Sequence, residues 1–316
     1  MGTVISSVAF QENSVSWVQV ELEGEQRLTI QRVVESPLPF VINYDNLQKP
    51  TPPLQIAKYL NSLAAEKDLY TDHVRFLLSA RFGLVKKVLA DRTVPEAVYP
   101  ELVEREMHSI FTDKVEHYQF YYPEYRRSSG ALREILTVAL RKEALAFFRQ
   151  IAREAGFVVP QVSLNCFTLD ELYRKFFPNL IGQTLLVNFT DQGFETTVSD
   201  ETDIVECEFV PYSRTMQNIE QLEDKEVLGA FARLLEKFQN PGVTDRPRYS
   251  LSQIFVFGAY LQPHWVNELR NQSNIPLRLL KPTDTSVWQI TVDDPTFSEI
   301  GEHHFVEPLS YAISES

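Results

Sequence analysis

Along the first part of the chain, apolar and polar residues alternate in short runs. TVISSVAF (3–10), VSWVQVEL (15–22) and LTIQRVV (28–34) are rich in β-branched and aromatic residues. QENS (11–14) and EGEQ (23–26) break them as turns, which predicts a three-strand meander. A connector with Pro37, Pro39, Pro50, Pro52 and Pro53 follows, and the apolar period then changes. PLQIAKYLNSLAAEK places Ile56, Leu60, Leu63 and Ala64 on one face, the pattern of an amphipathic helix. Its proline pair falls in the first turn, where a missing N–H removes no helical hydrogen bond. VRFLLSA (74–80) predicts a buried strand.

Residues 84–156 read as a β-α-β-β-α unit. LVKKVLA (84–90) is its first strand. Thr93 and Glu96 have the spacing of a capping box. Leu102, Val103, Met107, Ile110 and Phe111 share a helical face, with a kink or restart expected at Pro100. VEHYQFYYPEY and LREILTVALR are strands around an RRSSG turn. In KEALAFFRQIAREAG, residues Ala144, Phe147, Phe148, Ile151 and Ala155 form one apolar face, and Gly156 is the natural stop. A strand, VVPQVSL, and a helix, CFTLDELYRKF, come next.

After the link PNLIGQ (178–183), the runs TLLVNFT, FETTVSD and DIVECEFV repeat the opening three-strand pattern, as a duplicated fold would. A long helix at about 217–238, a strand at IFVFGA, a helix at WVNELRNQS and a strand at IPLRLLKP complete this part. The acidic stretch around Asp293-Asp294 carries no structural pattern, and FVEPLSYAIS reads as a short apolar helix.

Composition narrows the function classes. With 316 residues, 44% hydrophobic and 23% charged, the chain suits a globular protein of about two domains. No apolar run approaches the ~20 residues of a membrane span, and MGTVISSVAF lacks the basic start of a signal peptide. A net charge of −13 argues against nucleic acid and anionic lipid as partners. These features predict a cytoplasmic protein with protein or small-molecule partners. Cys166 and Cys207 have no metal or redox spacing, and Cys166 reads as a core residue. His303-His304, with Glu302 and Asp293-Asp294 nearby, reads as a surface loop, since adjacent side chains diverge; no metal is expected. Tyr118, Phe120 and Tyr122 lie with Gln119 and Tyr121 on a strand that is either buried on both sides or a partner-binding edge.

LVEREM (102–107), VEHYQFYYPEY, LTVALRKEALAFFRQIAREAGF and VSLNCFTLDELYR, in that order, resemble the PilM-like type IV pilus assembly proteins of the actin-like ATPase and FtsA superfamily. The wording matches over about a third of the chain, and the remainder matches by order of elements. The resemblance implies an α/β fold, a duplicated actin-like (RNase H-like) fold with an inserted small α/β subdomain. Residues 1–178 would be the first half, with the insert at about 81–156, and 179–316 the second. A nucleotide would lie in the cleft between them.

The loops that would hold its phosphates have changed. The first loop in the family reads Asp-x-Gly-Ser/Thr; here the turn is Phe10-Gln11-Glu12-Asn13-Ser14. Glu12 reads there as a solvated turn residue. The second reads Val-Asp-Ile-Gly; here it is Val187-Asn188-Phe189-Thr190, followed by Asp191, which strand alternation would point away. The family's Ile-Pro-Ile-Gly-Gly becomes Val210-Pro211-Tyr212-Ser213-Arg214, and its glycine run becomes Phe257-Gly258-Ala259-Tyr260. Backbone approaches a phosphate closely where no Cβ intervenes, and the whole chain holds 11 glycines.

Glu12, Asn188, Thr190, Ser213 and Gly258 are therefore expected to be vestigial nucleotide-site positions. Neither catalytic residues nor a cofactor are expected. The implied role is a pseudo-ATPase scaffold of a type IV pilus or type II secretion-like assembly, at the inner face of the inner membrane. Its implied partner is the cytoplasmic tail of an inner-membrane protein. The alternatives are an active ATP- and Mg²⁺-dependent or sugar-kinase-like protein of the same fold, and a stand-alone regulatory module.

Overall fold

A computed structural model describes residues 2–111, 114–123, 128–129, 132–158, 161–239 and 250–314. The opening meander forms as expected. β1 (Thr3–Phe10), β2 (Ser14–Leu22) and β3 (Arg27–Pro37) pair antiparallel, with Val8 opposite Trp17 and Phe10 opposite Val15. After the short α1 (Tyr44–Leu47), α2 (Thr51–Lys67) crosses to β4 (Val74–Leu78), which runs parallel to β1. Pro52 and Pro53 sit in the first turn of α2, and Ile56 and Leu60 are fully buried on its inner face.

A smaller unit follows. β5 (Gly83–Asp91), α3 (Tyr99–Ile110), β6 (Tyr118–Tyr121), β7 (Ser128–Ser129) and β8 (Leu132–Arg141) build a sheet in which β8 pairs with each of the other strands. Its own core is Val88, Ala90, Val103, Met107 and Ile135. Pro100 starts α3 rather than kinking it. The Thr93–Glu96 capping box does not form. The Asp91 carboxylate accepts from Thr93 N (2.8 Å) and Oγ1 (2.7 Å), and Glu96 pairs with Arg133. Most of the RRSSG turn lies outside the described residues. The β6 strand is half-buried, with Tyr118 stacked on Phe111 at 4.0 Å, while Tyr122 beyond its end is exposed.

Helix α4 (Lys142–Ala155) stops at Gly156, whose φ of 73° is the left-handed cap that glycine adopts without strain. Its apolar face packs on α2, so it joins the layer under the first sheet. β9 (Val162–Leu164) then runs parallel to β4, and α5 (Asn165–Phe176) leads out.

The second part repeats this plan. β10 (Gln183–Phe189), β11 (Gly193–Ser199) and β12 (Ile204–Pro211) form a meander. α6 (Asp224–Gln239) crosses to β13 (Leu251–Phe257), parallel to β10, and α7 (Trp265–Gln272) crosses to β14 (Leu277–Leu279). The order β12-β11-β10-β13-β14 copies β3-β2-β1-β4-β9 strand for strand. This is a duplicated α/β fold, its parallel strands joined by helical crossovers.

The residues just ahead of Asp293-Asp294, where no element was expected, form β15 (Gln289–Val292), which pairs with β3 and becomes the sixth strand of the first sheet; Asp293 and Asp294 themselves lie outside any strand or helix. Asp294 anchors it by accepting Val33 N–H at 3.0 Å. Period alone misses so short an edge strand, because its pairing is wholly non-local. α8 (Thr296–Ile300) and α9 (Val306–Ala312) end the chain. The chain after Leu280 thus crosses back to the first sheet, beyond the proposed boundary at 178/179. α5 and α9 lie between the two sheets. Ile5, Val18 and Leu28 face them from one side and Leu186 and Phe255 from the other, closing a shared core. Among the described residues, no helix is long and apolar enough to cross a membrane.

Candidate functional site

Because β1 and β10 are equivalent central strands, their C-terminal ends carry equivalent turns, and these turns meet. Open α/β sheets bind ligands at this edge. Here the side chains of the two turns reach one another instead. Glu12 forms an ion pair with Arg81 and accepts a hydrogen bond from Gln192 Nε2. Arg81 Nη1 also donates to Gln192 Oε1 at 2.8 Å, and its guanidinium lies 5.2 Å above the Phe209 ring. Asn13 Nδ2 donates to Asp191 Oδ2 at 2.9 Å.

A second tier lies beneath. Asn165, at the start of α5, uses one amide nitrogen to bridge two carboxylates, Glu195 Oε2 at 2.5 Å and Glu307 Oε1 at 2.7 Å. Its Oδ1 accepts Ala80 N–H at 3.0 Å. Glu195 also accepts from Ser79 Oγ and, at 3.0 Å, from Asn188 Nδ2. Glu307, on α9, accepts from Gln11 Nε2 at 2.5 Å. Gln11, Glu12, Ser79, Asn165, Asn188, Asp191, Glu195 and Glu307 are all buried. The network links the first sheet, the second sheet and the C-terminal helix.

Burial sets the electrostatics. It pushes Glu307 up to about 8, helped by the neighbouring Glu195, and it raises Glu195 as well. It lifts Glu12 to about 7 and Asp191 to about 6, with the Arg81 cation opposing both. Four carboxyl groups around one cation cannot all ionise in a low-dielectric site, so the cluster holds protons at neutral pH.

Three of the positions expected from the sequence meet here: Glu12, Asn188 and Thr190, with Gly258 beside them. Glu12 is not a solvated turn residue; at 4% exposure its carboxylate is enclosed by Arg81 and Gln192. Asp191 turns inward, because the strand ends at Phe189 and alternation no longer holds beyond it. Thr190 closes the turn, its N–H and Oγ1 both donating to the Gly193 carbonyl. Ser213 is not part of the site; it accepts Gln217 N–H at 3.2 Å in a local turn.

Gly258 has φ 117°, and a Cβ there would come 2.3 Å from Asn188 Oδ1 and 2.5 Å from the Phe189 carbonyl. Gly258 N–H donates to the His303 carbonyl at 3.0 Å. His303 is buried rather than part of a surface loop, and burial lowers it to about 4; His304 bonds Glu35 at 2.8 Å. Among the described residues, no group of three or more His, Cys, Asp or Glu side chains is arranged to hold a metal ion.

Sequence reading missed Arg81, Asn165, Glu195 and Glu307. Two of them left a signal. Glu195 is a charge within a fully buried strand, and Glu307 is a charge within the apolar closing helix. A charge at such a place is rarely tolerated unless partnered.

As arranged, these residues do not fit a nucleoside triphosphate. The two turns present side chains, not bare backbone, and Gln11, Glu12, Asn13 and Asp191 are engaged with one another's half. A polyphosphate would meet the carboxyl groups of Glu12, Asp191, Glu195 and Glu307, with the Arg81 cation favouring the charged form of the first three.

No family model matches the chain, and no curated protein matches it. Solved structures do. A chain of the PilM–PilN type IV pilus biogenesis complex superposes with a TM-score of 0.75 at 14% identity, covering 99% of this chain and 98% of that one. The cytoplasmic domain of EpsL, an inner membrane component of the type II secretion system of Vibrio cholerae, superposes with a TM-score of 0.52 at 12% identity, covering 99% and 97%. The fold is therefore the duplicated actin-like α/β fold with a PilM-like arrangement.

Proposed function

We propose that this chain is an actin-like scaffold that neither binds nor hydrolyses nucleotide and that recruits an inner-membrane protein from the cytoplasmic side. The observation that carries this reading is the interlocked side-chain network filling the cleft between the two sheets. A protein that cycles through nucleotide states needs that cleft open. Here Gln11, Glu12 and Asn13 of one turn are tied to Glu307, Gln192 and Asp191.

Titration of the purified protein with ATP and Mg²⁺ is expected to give no binding heat in a sample that melts cooperatively. Heat corresponding to micromolar or tighter affinity would sink the scaffold reading and favour a nucleotide-dependent protein of the same fold.

The assembly role rests on likeness to the PilM–PilN complex and to the EpsL cytoplasmic domain. In this chain a groove of about 680 Å³ opens beside β8, α4 and β9. It is lined by apolar residues including Tyr121, Leu145, Phe157 and Phe167, with Arg149 and Arg153 also facing it. Apolar pockets flanked by cations suit a short tail with an apolar anchor and an acidic flank. Peptides copying the tails of single-span membrane proteins encoded beside this chain should include one that binds. Reversing the charge at the exposed Arg149 should weaken that peptide by about tenfold, ~1.4 kcal/mol. Binding indifferent to Arg149→Glu moves the tail off this groove; binding by none of the tails removes the assembly role.

A further inference from the structure

Cys166 and Cys207 are far apart in sequence and have no redox spacing, but the fold brings them together. Cys166 lies in the first turn of α5, buried in the core under the first sheet; Cys207, half-buried on β12, packs against that same core. Both are free thiols. Burial, then a hydrogen bond that its S–H donates to Cys207 and the charge Cys207 would carry, push the Cys166 thiol well up.

Strand alternation explains the approach. Glu208 reaches across to Lys237 of α6, so Cys207 and Phe209 point the other way, toward α5 and the turn at Ala80–Phe82. A cavity of about 300 Å³ opens at that point, lined by Arg81, Gly83, Val85, Cys207 and Phe209 among others. It gives a small oxidant access to Cys207, while Cys166 stays enclosed.

We propose that Cys166 and Cys207 are a redox modification site, forming a reversible intramolecular disulfide that ties α5 to the edge strand of the second sheet. The oxidant is a peroxide. The Cys207 sulfur, as thiolate, attacks one peroxide oxygen; the O–O bond breaks, and the leaving hydroxide takes up the proton lost by Cys207 to become water. Cys207 is then a sulfenic acid. The Cys166 sulfur attacks the Cys207 sulfur, the S–O bond breaks, and the Cys166 proton leaves with that oxygen as a second water. Two thiols and one peroxide give one disulfide and two waters. Cys207 lines the cavity and Cys166 does not, which makes Cys207 the entry point and the enclosed Cys166 the resolving thiol. The bond would hold β12 where it borders β5 and the turn into the inserted subdomain.

The test uses the full-length reduced protein treated with equimolar hydrogen peroxide. The expected product is monomeric, has lost two hydrogens in intact mass and both reactive thiols, gives a linked Cys166–Cys207 peptide on non-reducing digestion, and reverts with dithiothreitol. Its Tm should rise by a few degrees, since the bond closes a loop of the unfolded chain. Cys207→Ser should keep Cys166 reduced under the same treatment. Disulfide-linked dimers, Cys207 overoxidised to the sulfinic acid beside a reduced Cys166, or survival of both thiols would each overturn the proposal. The wild-type peptide map decides the matter even if a cysteine variant folds poorly.

Discussion

Gly258→Ala should destabilise the protein by about 4 kcal/mol, combining overpacking against fixed backbone with a strained left-handed φ. The new methyl would sit 2.3 Å from Asn188 Oδ1, 2.5 Å from the Phe189 carbonyl and 2.7 Å from the Phe189 amide. Two of these atoms are backbone of the central strand of the second sheet, so they cannot swing aside as the tip of a long side chain does. The third belongs to the network, because Asn188 Nδ2 donates to the shared Glu195. The control is Gly24→Ala. Gly24 also has a positive φ, 72°, but a Cβ there meets nothing within 4 Å. Its cost should be the conformational one alone, about 1 kcal/mol. Urea unfolding of both variants measures the difference. Equal losses would show that Gly258 serves only as a turn residue and that the packing of β10 against β13 tolerates displacement.

The glycine that remains in the cleft is thus kept by packing against protein. That bears on how much of the molecule was legible in the sequence. The duplicated meanders, the α2 and α4 helices and the Gly156 stop could all be read, because each is specified by local period and by residues with one strong conformational preference. β15 could not. Its partner β3 lies more than half the chain away, and a strand at the edge of a sheet needs little hydrophobic signal. The cleft was half legible. The loss of glycine from the turns showed where backbone would not approach a ligand, and it pointed to Glu12, Asn188, Thr190 and Gly258. What replaced the ligand could not be read, because the replacing side chains come from separate elements. Asn165 opens α5, Glu195 lies on β11 and Glu307 lies on α9. Cys166 and Cys207 come to the same core for the same reason, through tertiary packing that no spacing rule records.

The protein should lose stability as pH rises from about 6.5 to 8. Glu307 has an ordinary value of 4.5 and is raised to about 8 by burial and then by the charge of Glu195. Below pH 4.5 the folded and unfolded chains both carry this proton, so the raised value contributes its full stabilisation. Between 4.5 and about 8 the folded chain holds the proton and the unfolded chain has released it. Stability therefore falls with rising pH, by as much as ~1.4 kcal/mol per unit for one proton. Above about 8 both states are ionised and the loss is complete. Glu12, raised to about 7, and Asp191, raised to about 6, act in the same direction over narrower windows. His303 acts against them. Its value is lowered from 6.5 to about 4, so between those limits the unfolded chain binds the extra proton and stability rises with pH. Below pH 6.5 His303 offsets only one of these descending contributions, and above it the carboxyl groups act alone. Thermal melts across pH 5.5 to 8.5 at constant ionic strength should show a descent that levels off above about pH 8. Glu307→Gln, which keeps an acceptor for Asn165 and removes the titrating proton, should flatten the descent. An unchanged slope in that variant would mean that the proton resides elsewhere in the cluster, on Glu195 or Glu12. A flat profile in the wild type would mean that water, not protein, solvates these carboxylates, and that the cleft is open.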